Sequence, residues 1–165
     1  GYAITAVVGK KEVMEAAQKT FISSTFWTER IGPTAALKTL EVMERIKSWE
    51  IITRIGNKVR KNWMKLANEN NLEIITYGLP AISFYSFSNN NLKYKTFITQ
   101  EMMKKGFLAS TNFYASIAHN NKFIDLYSDA LNDVYKSISQ FEKGEKNIDD
   151  FLEGPVCHDG FKRLN

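Results

Sequence analysis

Apolar positions in the middle and at the end of the chain recur at intervals of three and four residues. This spacing is typical of one face of an amphipathic α-helix. It predicts helices over about 34–47, 49–69 and 121–142. Ser48 stands between the first two segments and is the expected N-cap of the second, because Ser side chains favour that position.

Shorter apolar runs, rich in β-branched and aromatic residues, predict strands. These runs cover residues 2–8, 72–77, 81–87 and 107–110. In the third run, Ile82 and Phe84 alternate with Ser83 and Tyr85, which is the pattern of a half-buried strand. Residues 78–80, Gly-Leu-Pro, separate the second and third runs as a turn.

Two shorter helices complete the predicted pattern, over about 10–19 and 96–105, and Gly106 ends the second of them. The resulting order of helices and strands favours an α+β fold with a mainly antiparallel sheet covered by helices. Residues 145–165 are polar apart from a small apolar patch, and we expect a tail that packs weakly or against a partner.

The composition limits the classes of protein to which the chain could belong. Its 165 residues, 44% of them hydrophobic, suffice for one compact domain. No apolar run is long enough to span a bilayer, so no membrane association is expected. Cys157 is the only cysteine, which excludes an internal disulfide and favours a cytoplasmic location. The chain opens at Gly1 within an apparent strand, which suggests a fragment or a processed chain.

The net charge of +4 and a pI of about 9.1 are only mildly basic. Lys58, Lys61 and Lys65 fall on one stripe of a predicted helix. Such a stripe could contact nucleic acid, but a solvated helix face is the more common explanation. No base-stacking motif accompanies it, so nucleic-acid binding is not expected. No metal site is predicted either.

The most informative local segment is the hydroxyl-rich loop Ser23–Pro33, Ser-Ser-Thr-Phe-Trp-Thr-Glu-Arg-Ile-Gly-Pro, which leads into a helix. Hydroxyls and free backbone N–H groups at a helix start can bind a phosphate. The same residues could instead serve only as an N-capping loop. Local chemistry alone leaves both interpretations open.

Taken together, several motifs resemble the C-terminal part of class III pyridoxal-phosphate-dependent aminotransferases, in the branch that includes glutamate-1-semialdehyde aminomutase. The similarity covers residues 1 to about 143. The motifs are Gly1–Gly9, Glu12–Met14, Thr28–Pro33, Gly106–Leu108 and Ser116–His119. Gly32 stands where Asn is common in that family.

The resemblance implies an α/β parent of fold type I that binds pyridoxal 5'-phosphate and acts as a homodimer. Residues 1–32 would belong to its large cofactor-binding domain, 33–144 would form its C-terminal small domain, and 145–165 would be a tail. Thr28 is the residue that matches the family's phosphate-binding threonine. In the family this hydroxyl reaches the cofactor of the neighbouring subunit.

The family's cofactor-binding lysine would lie just upstream of Gly1, so no catalytic residue is assigned within the chain. The resemblance therefore implies a parent that transfers an amino group between a small-molecule donor and a carbonyl acceptor, and an inactive isolated segment. The alternative is a non-catalytic binding module of the same fold. Residues 110–115 lack the acidic residue usual in the aminomutase branch, which favours an aminotransferase. His119 is expected to be structural.

Overall fold

The computed structural model describes residues 2–22, 25–26 and 29–160 of the chain. The chain forms two compact units, which meet in sequence between residues 48 and 49. The domain boundaries expected at residues 32 and 144 come from the family resemblance and stay predictions. Each unit is described by itself below.

The first unit contains two helices, α1 over Lys11–Ala17 and α2 over Ile31–Ile46. The strand predicted over residues 2–8 is wrong, because these residues form no strand. Tyr2, Val7 and Val8 are exposed instead of buried. The physical reason is that a strand needs a neighbour to satisfy its backbone N–H and C=O groups, and the described residues of this unit contain no other strand.

The helix predicted over 34–47 is confirmed as α2, which begins three residues earlier, so that Pro33 lies in its first turn. The next helix, α3, runs from Ser48 to Glu69 and confirms the prediction for 49–69. The N-cap assigned to Ser48 is wrong. Ser48 is itself the first residue of α3, and its buried Oγ has no hydrogen-bond partner among the described residues.

The second unit is built around a three-stranded antiparallel sheet in the order β1-β2-β3. Strand β1 covers Ile74–Leu79, β2 covers Ile82–Phe87 and β3 covers Asn112–Tyr114. The first two confirm the strands predicted over 72–77 and 81–87. They pair with each other as far as Leu79 and Ile82, so the turn between them is Pro80-Ala81 rather than residues 78–80.

The strand predicted over 107–110 is wrong, and β3 follows it instead. The backbone of this segment is used locally, because the N–H of Phe107 donates to the carbonyl of Met102 and the N–H of Ala109 donates to that of Phe107. These bonds hold the segment against the end of the preceding helix, away from strand pairing. That helix, α4, covers Asn91–Lys104 and is longer than the predicted 96–105.

Helix α5 covers Asn121–Glu142 and matches its prediction at both ends. The core lies between the inner face of the sheet and helices α3, α4 and α5. Tyr85 is at its centre, with ring centroids 4.6 Å from Trp63 and 6.2 Å from Tyr135. The alternation predicted for β2 is present, but its buried side chains are Ser83, Tyr85 and Phe87 rather than the more apolar Ile82 and Phe84.

The tail docks on α4 through residue 157 instead of packing weakly. A 3-10 helix over Ile148–Asp150 places Ile148 in the core. The side chain of Gln100 donates to the carbonyl of Phe151 at 2.9 Å and accepts from the N–H of Glu153 at 2.8 Å. The N–H of Cys157 donates to Oγ1 of Thr96 at 2.9 Å.

Candidate functional site

The predicted phosphate-binding residue, Thr28, lies outside the described residues, as do Ser23, Ser24 and Trp27 of the same loop. The residues around it are described. The N–H of Glu29 donates to the carbonyl of Phe26 at 3.1 Å. Helix α2 begins two residues later, at Ile31.

The start of α2 has the backbone chemistry of an anion site. Its N-cap residue is Arg30, which makes no side-chain capping hydrogen bond. The N–H groups of a helix's first turn have no partner within the helix, and they carry a partial positive charge. Backbone N–H groups and a guanidinium are donors that suit a phosphate. The start of α2 and its N-cap residue Arg30 are therefore compatible in chemistry with the cofactor phosphate that the resemblance implies.

The space around Gly32, at this helix start, is too small for a larger residue unless the neighbouring backbone shifts. Gly32 is buried, and a Cβ added there would lie 3.3 Å from the carbonyl oxygen of Ala3 and 3.7 Å from Cβ of Ile4. Residues 3 and 4 thus run directly beside the first turn of α2. The Asn that is common in the family would have to displace the Ala3 carbonyl by a few tenths of an ångström.

In the second unit, two further motifs of the resemblance converge on one cavity of about 560 Å³. Phe107 and Leu108 of the first motif and His119 of the second all line this cavity. We call it the neutral groove, since its lining contains no Asp, Glu, Lys or Arg. It is lined by Thr99, Met103, Phe107, Leu108, Ala109, Ser110, Asn112, Phe113, Tyr114, His119, Phe123, Ile124 and Tyr127.

His119 has a fixed orientation in this groove. Its Nδ1 accepts a hydrogen bond from the N–H of Ser116 at 3.0 Å, and its ring lies 4.9 Å from that of Phe113. An acceptor at Nδ1 leaves the proton of the neutral imidazole on Nε2. The structural role expected for His119 is present in the bond to Ser116, and Nε2 is left as a hydrogen-bond donor.

Tyr127 forms the floor of the groove and connects it to the core. Its hydroxyl accepts a hydrogen bond from Nε1 of Trp63 at 2.8 Å, and burial raises its pKa above the ordinary value. The hydroxyls of Thr99 and Ser110 bond to each other at 3.0 Å on another side of the groove. Sequence patterns gave no sign of these polar contacts, because they join residues that are far apart in the chain.

The structure gives little support to the basic stripe as a nucleic-acid site. Lys58 is paired with Asp125 at 2.7 Å and Lys65 with Glu69 at 3.6 Å, so two of the three lysines of the basic stripe have carboxylate partners. Across the described ranges, no group of three or more His, Cys, Asp or Glu side chains could hold a metal ion. No described helix is both long enough and apolar enough to cross a membrane.

No family model matches the chain. Among curated proteins, the chain is 30% identical over 128 residues to a 3-aminobutyryl-CoA aminotransferase from Cloacimonas acidaminovorans. The aligned region covers 77% of this chain and 28% of that protein. It is 22% identical over 139 residues to a 2'-deamino-2'-hydroxyneamine transaminase from Streptomyces kanamyceticus, covering 81% of this chain and 36% of that protein.

A solved structure, the PLP internal aldimine form of the FumI protein from Sphingopyxis sp. MTA144, shares the fold with a TM-score of 0.71 and 17% identity. It covers 82% of this chain and 34% of that protein, so the chain spans roughly a third of the length of each relative. None of the three is described as an aminomutase, and that branch stays a prediction. The chain is thus related to the pyridoxal-phosphate-dependent aminotransferases and corresponds to a part of such a protein.

Proposed function

We propose that the chain is the C-terminal part of a class III pyridoxal-phosphate-dependent aminotransferase, which passes an amino group between a small-molecule donor and a carbonyl acceptor. The observation that carries this proposal is the 30% identity to an aminotransferase over 77% of the chain. The agreement in fold with a protein solved in its PLP form supports it independently. We place the intact protein in the cytoplasm, as a homodimer.

Within this proposal, Thr28 binds the cofactor phosphate of the neighbouring subunit. Its hydroxyl would donate a hydrogen bond to a phosphate oxygen, together with the uncapped N–H groups at the start of α2. Arg30 adds a positive charge at the same helix start. When bound, the cofactor supplies an electron sink for the transfer of the amino group, and these residues of the chain hold it in place.

The catalytic lysine is proposed to lie upstream of Gly1, so the chain alone should not form a stable cofactor adduct. The first experiment reads the coding sequence upstream of the Gly1 codon. An open frame that continues upstream and places a lysine codon shortly before Gly1 supports the enzyme. A start codon directly before Gly1 would refute it and leave the non-catalytic module of the same fold.

The second experiment expresses the whole reading frame and measures pyridoxal phosphate affinity from the visible absorption spectrum. Thr28→Ala should weaken cofactor binding by about 10- to 150-fold, as expected for a lost hydrogen bond to a charged group. Thr39→Ala, on an exposed position beyond the first turn of α2, is the matched control and should leave the affinity unchanged. Equal affinities for both variants would remove Thr28 from the phosphate site without removing the aminotransferase assignment.

A further inference from the structure

We propose that the neutral groove binds an uncharged compound with an aromatic ring and a carbonyl group, such as an arylacetamide, whose carbonyl oxygen accepts a hydrogen bond from Nε2 of His119. This proposal concerns the second unit alone and does not depend on the transaminase assignment. The volume of about 560 Å³ lies in the range usual for small-molecule pockets.

The lack of acidic and basic side chains in the groove favours an uncharged ligand. None of the thirteen lining residues is an Asp, Glu, Lys or Arg. A charged ligand would lose its hydration without gaining an ionic partner, which is costly in an apolar site. An uncharged ligand loses little, because most of the lining is apolar. The groove should therefore discriminate against both anions and cations.

Aromatic side chains form one continuous wall of the groove. The ring of Phe113 lies 4.9 Å from that of His119 and 6.4 Å from that of Tyr127, and Phe107 lies 6.1 Å from Tyr127. These separations are those of interacting aromatic rings, and a further ring could extend the wall in the same tilted arrangement. A planar aromatic ligand is therefore favoured over a branched aliphatic one.

Exposed apolar side chains line the mouth of the groove. Leu108 is 97% exposed, Met103 is 59% exposed and Phe123 is 54% exposed. Covering such side chains removes apolar surface from water, which favours binding. The same exposure makes the mouth open to a ligand from solution.

The polar groups of the groove determine which functional group the ligand carries. Thr99 and Ser110 already bond to each other. Nε2 of His119 carries the proton, since Nδ1 accepts from Ser116, and it has no partner among the described residues. An N–H donor without a partner calls for an acceptor oxygen. A neutral amide supplies this oxygen and stays uncharged, and the Asn112 amide lies in the same lining to bond its N–H.

The test titrates the 165-residue chain with phenylacetamide and, separately, with its charged analogues phenylacetate and phenethylamine. The readout is the NMR signals of the two histidine imidazoles, His119 and His158, the only histidines in the sequence. Phenylacetamide should shift the His119 signals saturably and leave those of His158 in place. Both charged analogues should bind about tenfold more weakly or worse, because their charge is desolvated without a partner.

Two variants locate the binding. His119→Ala should weaken phenylacetamide binding by about 2- to 12-fold, the effect of one lost hydrogen bond, whereas His158→Ala should not. Leu108→Asp changes an exposed side chain, so the fold should be kept while the mouth gains a carboxylate. This variant should narrow the difference between the phenylacetamide and phenethylamine affinities by about 1.5- to 5-fold, the effect of one exposed ion pair. Leu79→Asp, on an exposed position of β1, is its matched control.

The proposal is overturned by any of three results. Phenylacetamide fails to bind saturably, or the two charged analogues bind as well as the neutral one. Alternatively, Leu108→Asp leaves the ratio of the phenylacetamide and phenethylamine affinities as it is in the parent chain and in Leu79→Asp, which would place the ligand elsewhere on the molecule. The Leu108 variant decides the matter even if His119→Ala disturbs the loop that holds Ser116.

Discussion

At the scale of single residues, Gly56 shows how helix α3 and the β1–β2 hairpin constrain each other. A Cβ added to Gly56 would lie 1.7 Å from the carbonyl oxygen of Pro80 and 2.4 Å from its carbonyl carbon. No side chain can occupy that space unless the backbone of the hairpin turn moves. The helix therefore keeps a residue of low helix propensity in its interior, because the turn packs against it.

This contact reverses the usual effect of replacing a glycine inside a helix. Intrinsic propensity alone would make Gly56→Ala stabilising by about 1 kcal/mol. Because the turn must shift, we expect the variant to lower the free energy of unfolding by about 2–4 kcal/mol in urea titrations. Gly154→Ala, whose added Cβ meets nothing within 4 Å, should stay within about 0.5 kcal/mol of the parent chain. A stabilised Gly56→Ala variant would contradict the contact with Pro80.

At the scale of helices and strands, periodicity predicted the long helices well and the short strands less well. Helix α5 carries a regular apolar stripe, and both its ends agree with the prediction. Strand β2 carries apolar residues on both faces, so its alternation could not show which face is buried. Tyr85 and Phe87 face the core because α3 and α5 supply Trp63 and Tyr135 as ring partners, and this is a property of the assembled fold.

The neutral groove, too, could be predicted from the sequence only in part. The motifs around residues 106–108 and 116–119 were visible in the sequence, but their meeting in one groove was not. That meeting depends on where α4 ends and where β3 begins, and the sequence placed the third strand at 107–110 rather than Asn112–Tyr114. Motifs thus located the residues, whereas tertiary structure determined which of them share a site.

The docked tail leads to a prediction about a whole segment. The side chain of Gln100 bonds both Phe151 and Glu153, so Gln100→Ala should loosen residues 151–157 from α4. Cys157 reports the change, because it is half-buried and is the only thiol of the chain. We expect its reaction with a thiol reagent to become about 3- to 10-fold faster, in line with the loss of one or two hydrogen bonds.

The control for this measurement is Gln140→Ala on α5, which removes a side chain of the same type from a different helix. It should leave the rate of Cys157 modification unchanged. Equal rates in the parent chain and the Gln100 variant would mean that Gln100 does not hold the tail. In that case the ion pairs of the tail, Lys93–Asp149 and Lys104–Glu153, would be the contacts to remove next.

At the scale of the whole molecule, the second unit is held together by a core unusually rich in tyrosine. Burial raises the pKa of Tyr85, Tyr127 and Tyr135 above the ordinary value of a phenol. Burial and a neighbouring Glu142 raise the pKa of Tyr94 to about 12. In each case the folded state retains the phenolic proton to a higher pH than the unfolded state does.

The consequence is a stability that falls in alkali. Below pH 10 both states hold these protons, and the contribution of the tyrosines to stability is fully present. As the pH rises above 10, the unfolded chain loses its protons first, so the free energy of unfolding decreases up to the folded pKa. For Tyr94 this window is pH 10 to about 12. One such group contributes a slope of up to about 1.4 kcal/mol per pH unit.

The measurement is a series of urea titrations at intervals between pH 8 and pH 12, on the parent chain and two variants. Tyr94→Phe removes one of the raised groups and should make the decline between pH 10 and 12 less steep. Tyr77→Phe, half-exposed on the outer face of the sheet, removes a phenol outside the core and is the matched control. Deprotonation of lysines affects all three proteins alike and cancels in the comparison. If the three slopes coincide, the phenol of Tyr94 is not held protonated by the fold, and its packing against Phe87 alone explains its place in the core.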